Sequence, residues 1–202
     1  MARLLSLFLL DAVLLPKAPL PLHIFEPRYR EMIAECLSEN RAFGVLRVEG
    51  ERVADVGCTA EIVAVSKHYP DGRMDIVTEG RERFEVIEFQ TDRAFLQGEI
   101  NYIGDTAEFA RPEQVRVAVE LHKEILGLMG AVPDATTEPD PQISFRLANS
   151  MPLDLDFKQA LLSSRSESER LAQLVQHFNR LLPNIRRAIR ARTKAGGNGH
   201  AI

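Results

Sequence analysis

Residues 19–33, Pro-Leu-Pro-Leu-His-Ile-Phe-Glu-Pro-Arg-Tyr-Arg-Glu-Met-Ile, impose the tightest constraint on how this chain folds. Pro19 and Pro21 cannot donate to a sheet ladder at their own positions, so Leu20–Phe25 is predicted at a sheet edge or a barrel corner. Pro27 suits the first turn of a helix, where its missing N–H would have been unpaired anyway. From there Tyr29, Met32, Ile33, Cys36 and Leu37 recur at i, i+3, i+4, i+7 and i+8, which is one apolar helical stripe. A proline-interrupted edge strand must therefore run straight into an amphipathic helix.

The rest of the first half reads as short strands. Leu4–Leu10 and Ala42–Val48 are apolar runs of strand length, and Gly57–His68 is β-branched. Tyr69-Pro-Asp-Gly72 closes that stretch with proline where a type I turn takes it and Asp-Gly where φ turns positive. Arg73–Val77 returns as the hairpin partner, Glu79-Gly80 reads as a second break, and Arg83–Phe89 and Ala94–Ile103 follow as strands. Even spacing of short strands favours a small barrel or closed sheet over a parallel α/β sheet. After Gly104 the period becomes helical. Pro112 opens a helix with Val115, Val119, His122, Ile125, Leu126 and Met129 on one face; Gly130–Pro141 is a proline- and acid-rich loop; helices are predicted over 142–150, 154–164 and 167–182. Ser166 and Glu169 form a capping box, and Pro183 marks a kink or stop. The division expected is a β subdomain over 1–105, a helical subdomain over 106–194 and a disordered tail over 195–202.

The segment Tyr69–Phe84, with Leu14-Leu15-Pro16, Asp55-Val-Gly-Cys-Thr59 and the 19–33 junction, resembles the N-terminal, substrate-binding domain of ATP-dependent Lon proteases. By motif the resemblance covers residues 5–105, and as a helical pattern it extends to about residue 183. It implies an α+β fold: a PUA-like β pseudobarrel with one inserted helix, followed by a C-terminal α-helical subdomain. It also implies a module that handles polypeptide rather than one that cuts it. The G-x-x-x-x-G-K-[ST] string that would cradle phosphates is missing from these 202 residues. The Ser–Lys dyad of the protease sits on a separate domain for which no residues remain here. The expectation is a stand-alone, non-enzymatic protein.

Composition narrows the chemistry further. Residues 183–202 hold Arg186, Arg187, Arg190, Arg192 and Lys194 and no acid; this local +5 in a chain of −4 leaves −9 on everything before it. An acidic body disfavours nucleic acid, which needs a basic face to neutralise phosphates. The five histidines are scattered singly, so no metal site and no cofactor is expected. Cys36 with a histidine is the most tempting nucleophile–base pair, yet Cys36 lies on the apolar helical stripe, where a cysteine is a small core residue. Cys36 and Cys58 therefore read as buried thiols in a reducing cytoplasm. The start, Met1–Leu10, resembles a signal peptide but is interrupted by Asp11 with no small-x-small site after it, and reads as mature structure with no membrane span.

The residues singled out for binding are Pro21, Leu22, His23, Phe25, Arg28 and Tyr29, with Tyr69 at a turn tip. An edge strand beside aromatic side chains gives an unfolded polypeptide a place to lie, with a protease as a further candidate partner. Packing is the competing account: Leu22, Ile24, Phe25 and Tyr29 as a hinge turned inward, favoured for Ile24, Phe25 and Tyr29. His23 and Arg28 are the better candidates for exposure, and Arg81, Glu82 and Arg83 read as a solvated hairpin end. An apolar groove between barrel and helices is the expected site. Two rival classes stand beside this one. One is an RNA-binding PUA-like module, by analogy of fold alone; the other is a small-ligand enzyme or sensor, which would need a deep polar pocket.

Overall fold

The computed structural model describes residues 3–106, 110–131 and 140–196. Strands β1 (Arg3–Leu10) and β2 (Pro19–Ile24) lead into helix α1 (Pro27–Ser38), then β3 (Phe43–Glu49), β4 (Arg52–Val53), β5 (Val56–His68), β6 (Met74–Gln90) and β7 (Gln97–Tyr102). Helices α2 (Pro112–Met129), α3 (Ile143–Asn149), α4 (Leu155–Ser163) and α5 (Glu167–Gly196) follow, so the fold is α+β. The sheet runs β1-β7-β6-β5-β3-β4, and a parallel pairing links β1 to β3, so β1, β7, β6, β5 and β3 form a closed cycle of pairings that leaves β4 outside. Leu5, Leu7, Leu46, Phe84 and Ile100 fill the core behind this cycle. Strand β2 lies off the cycle and pairs with β6, with Pro21 opposite Val77 and His23 opposite Asp75.

The chain divides into two compact units, Met1–Asp105 with Ala148–Arg165, and Thr106–Leu147 with Ser166–Ile202. Residue 105 ends the first stretch of the β unit, and residues 148–165 are its second. The chain leaves the β unit, builds most of two helices, and returns. Polar side chains hold the returning segment: Asn149 Nδ2 donates to the Pro16 carbonyl at 3.0 Å, Gln159 Nε2 to the Val56 carbonyl at 3.0 Å, and Arg47 pairs with Asp156 at 2.5 Å.

Arg83 adds a buried tie to the same segment. Its guanidinium is buried and donates to the carbonyls of Leu162 (2.9 Å) and Ser164 (2.5 Å) and to Asp105 (2.5 Å). The expected solvated hairpin end at 81–83 is corrected here, because a buried cation persists only where acceptors replace its water. Arg81 and Glu82 stay exposed.

The break expected at Glu79-Gly80 is also corrected, since β6 runs unbroken through it. Gly80 serves close approach, not a turn. A Cβ there would lie 2.2 Å from the Leu15 carbonyl oxygen, and Gly80 exchanges hydrogen bonds with Lys17 (2.7 Å) and Ala18 (2.9 Å). Asp71-Gly72 does sit at a hairpin tip, with Gly72 at φ +84° and its N–H on the Tyr69 carbonyl.

In the helical unit, α2 starts at Pro112 and stops at Gly130, which adopts φ 74°. Ala118, His122, Ile125 and Leu126 are its buried face, while Met129 is exposed. The Ser166 hydroxyl caps α5 by accepting from Glu169 N, and Leu171, Leu174, Phe178 and Leu182 form the buried stripe. Pro183 neither stops nor ends α5, which continues to Gly196. The proline and Asn179, whose carbonyl loses its donor, both face water, which can satisfy that group. Of the tail expected from residue 195, residues 197–202 lie outside the described residues, as do 132–139 of the inter-helix loop. No helix among the described residues is long and apolar enough to cross a membrane.

Candidate functional site

The pairing register builds the site. Because side chains directly opposite on neighbouring strands share a face, β5, β6 and β2 carry rows across three strands. Lys67, Asp75 and His23 form one row, and Ala64, Val77 and Pro21 the next. Lys67, His23, Ala64 and Pro21 are exposed, and Asp75 and Val77 half-buried, so this face looks outward. A register shift between Ile62 and Ala64 adds Val63, 57% exposed, beside the apolar row. At the end of β2 Phe25 projects into solvent at 58% exposure, the largest fraction among the exposed large hydrophobics.

The charged row locks the aromatic side chains together. His23 Nδ1 lies 2.5 Å from Asp75 Oδ1 and donates to it, and the Tyr69 hydroxyl donates to Asp75 Oδ2 at 2.9 Å. These two donors, His23 first and Tyr69 second, hold the Asp75 carboxyl below the usual range. The His23 ring stacks with Phe25 at 5.9 Å and meets Tyr69 edge-on at 5.6 Å. Over the Tyr69 ring lie Lys67 Nζ at 4.5 Å and the Arg73 guanidinium at 5.0 Å. Beside the hairpin tip, Arg30 donates to the Asp71 carbonyl at 2.7 Å. The result is an aromatic trio built on the charged row, with the narrow apolar row on that row's other side and cations around the rim.

The singled-out residues separate into three groups. Pro21, His23, Phe25 and Tyr69 come together on the outward face. Leu22 is half-buried, and Arg28 is exposed but ion-paired to Glu26 at 2.9 Å, with its guanidinium 4.6 Å from the Tyr29 centroid. Tyr29 itself is core: its ring stacks on Phe8 at 4.0 Å and its oxygen accepts from Leu9 N at 3.4 Å. Packing therefore wins for Tyr29 and for buried Ile24, while for Phe25 it loses. Lys67, Asp75, Ala64 and Val77 were not singled out, because their membership depends on a pairing with β2 that no local pattern signals.

The thiols offer no chemistry. Burial pushes Cys36 up to about 11 and Cys58 up to about 12, so neither supplies a thiolate near neutral pH. Among the described residues no cluster of three His, Cys, Asp or Glu side chains could hold a metal ion.

Such a unit, a cycle of paired strands with one helix between β2 and β3, belongs to the class of α+β modules. The family model described as "ATP-dependent protease La (LON) substrate-binding domain" matches residues 4–180, and the chain belongs to that family. It is 24% identical over 187 residues to a Lon protease of Buchnera aphidicola, covering 82% of this chain and 23% of that protein. Over 89 residues it is 34% identical to the protein cereblon of Gallus gallus, covering 42% of this chain and 20% of cereblon. The chain thus spans about a quarter or less of the curated relatives it matches. Among solved structures, a Lon N-terminal domain protein from Xanthomonas campestris superposes with a TM-score of 0.69 at 27% identity, covering 86% of this chain and 98% of that one. The N-terminal domain of a Mycobacterium avium complex Lon protease shares the fold, with a TM-score of 0.63 at 18% identity over 88% of this chain and 98% of its own.

Proposed function

We propose that this protein is a non-catalytic module that recognises unfolded or exposed polypeptide segments in cytoplasmic protein quality control. The family supports substrate binding as the general role. The observation that carries the specific reading is that the outward row of Pro21, Val77, Ala64 and Val63 and the solvent-facing Phe25 lie on one face, on either side of the His23–Asp75–Lys67 row. Apolar side chains gathered on one face mark interaction surfaces, whereas single exposed ones do not.

Side chains, not main-chain pairing, do the recognising. Pro19 and Pro21 remove two N–H donors from β2, which leaves its edge a poor template for an added strand. An apolar strip suits clients chosen for being unfolded, because it demands hydrophobic side chains and no particular order.

The test compares one client in native and destabilised forms. Fluorescence anisotropy should show tighter binding of the destabilised form, with little change between low and moderate salt, because apolar burial releases no counterions. Phe25→Ala should weaken that binding while leaving the melting curve intact. His23→Ala with Arg28→Ala should weaken it through loss of the ring that stacks on Phe25. Full affinity in both variants would remove this face from the site. Retention of RNA that collapses with added salt, without preference for unfolded polypeptide, would overturn the assignment in favour of a nucleic-acid module.

A further inference from the structure

The charges around the aromatic trio do not cancel. Glu26 pairs with Arg28 and Asp71 with Arg73 at 2.7 Å, while Asp75 accepts from His23 and Tyr69 and also feels the charge of Lys67 opposite it, so four cations face three carboxylates. The Arg73 N–H and guanidinium hold Asp71 below the usual carboxyl range, so it too remains an occupied anion. Two cations have no carboxylate partner within ion-pair distance among the described residues. Lys67 lies with its ammonium over Tyr69, and Arg30 donates to a backbone carbonyl at the hairpin tip. Lys67 is exposed and stands in the row directly beside the apolar strip. On the opposite side of the strip the balance is reversed, since the single Arg81 guanidinium is shared by Glu61 and Glu79, each at 2.5 Å.

Resting on the polypeptide-binding reading above, we infer that the preferred clients are apolar segments flanked at one end by acidic residues. The apolar side chains lie along Pro21, Val77 and Ala64 and against Phe25, and the flanking carboxylate meets Lys67, with Arg30 beyond it. A cation–aromatic stack is a good seat for that carboxylate. The Tyr69 ring holds the ammonium in place, so less side-chain freedom is lost on pairing. A segment with basic flanks would meet Lys67 and Arg30 as like charges, and such juxtaposition is how a sequence-tolerant surface excludes part of the pool.

The experiment uses the full chain and labelled peptides sharing the core Phe-Val-Leu-Phe, extended at either end by Asp-Asp, Ser-Ser or Lys-Lys. Anisotropy at low salt should rank the acidic extension tightest and the basic one weakest. The two should differ by roughly three- to tenfold, the scale of one or two rim ion pairs. That gap should close at moderate salt as screening sets in. Lys67→Glu should invert the ranking, and Lys67→Gln should flatten it. Equal affinity for all three flanks in wild type, with Phe25→Ala still weakening every peptide, would overturn the acidic preference and leave the binding face standing. No effect of Phe25→Ala on any peptide, or no peptide binding at all, would overturn both.

Discussion

Gly80→Ala puts the tightest backbone approach in the β unit to the test. The added methyl would lie 2.2 Å from the Leu15 carbonyl oxygen and 3.1 Å from both the Leu15 carbonyl carbon and Leu14 Cγ. The nearest neighbour is backbone, so no rotamer change can clear it, and the 15–18 turn must move away from β6. Moving it breaks or lengthens two hydrogen bonds, Lys17 N to the Gly80 carbonyl at 2.7 Å and Gly80 N to the Ala18 carbonyl at 2.9 Å. At about 1 kcal/mol net for each bond and about 1–3 kcal/mol for the overpacking, the loss comes to roughly 3–5 kcal/mol. With a urea m-value of about 2 kcal/mol per molar, the midpoint should fall by roughly 2 M. The chain suits the assay. It has no tryptophan, and its three tyrosines, Tyr29, Tyr69 and Tyr102, all lie in the β unit, so tyrosine fluorescence follows that unit alone. The helical signal in circular dichroism draws largely on the other unit. Because the displaced turn feeds β2, which carries His23 and leads to Phe25, client affinity should fall as well. A tyrosine-monitored midpoint within about 0.5 M of wild type would show that the close approach at Gly80 is not a real constraint.

Arg83→Met should cost the β unit about 3 kcal/mol or more, since it removes the buried guanidinium from Asp105 and two carbonyls, and Asp105→Asn added to it should restore part of the loss in the same urea assay. Strictly additive losses in the double variant would argue against the pair. Burial, reinforced by the Arg146 cation, holds the His122 imidazole below its ordinary value of about 6.5. The unfolded chain therefore takes up the proton first, so helical-unit stability should be complete above about pH 6.5 and decline as pH falls through the folded value; His122→Leu should remove that slope, and an unchanged slope would refute the assignment. Gly72→Val should destabilise the hairpin tip by about 1 kcal/mol or more, because φ is +84° there and the new side chain meets Arg30; tyrosine-monitored melting gives the answer.

Local rules were enough wherever the controlling contacts were local. The α1 stripe of Tyr29, Met32, Ile33 and Cys36 is buried as its spacing requires, Gly72 takes the positive φ that its turn demands, and Ser166 caps α5. These features depend on residues three to seven apart, where helical period and turn chemistry dominate. The same rules misread Gly80, because a glycine that makes room for a backbone arriving from residues 15–18 looks the same as one that makes a turn. They placed Arg83 in solvent because its acceptors at Leu162 and Ser164 lie about eighty positions away. They could not show that His23 stands opposite Asp75 and Lys67, a row built by strands separated by 52 positions. Phe25 likewise looked like core, because apolar residues at a strand-to-helix junction usually are; its neighbour Ile24 took the inward position, and strand alternation turned Phe25 out. The sequence by itself determined most helices, strands and turns, but not the course of β6 through Gly80 or of α5 through Pro183. Which face each segment shows to water was decided by long-range register and burial, and that choice produces the candidate site.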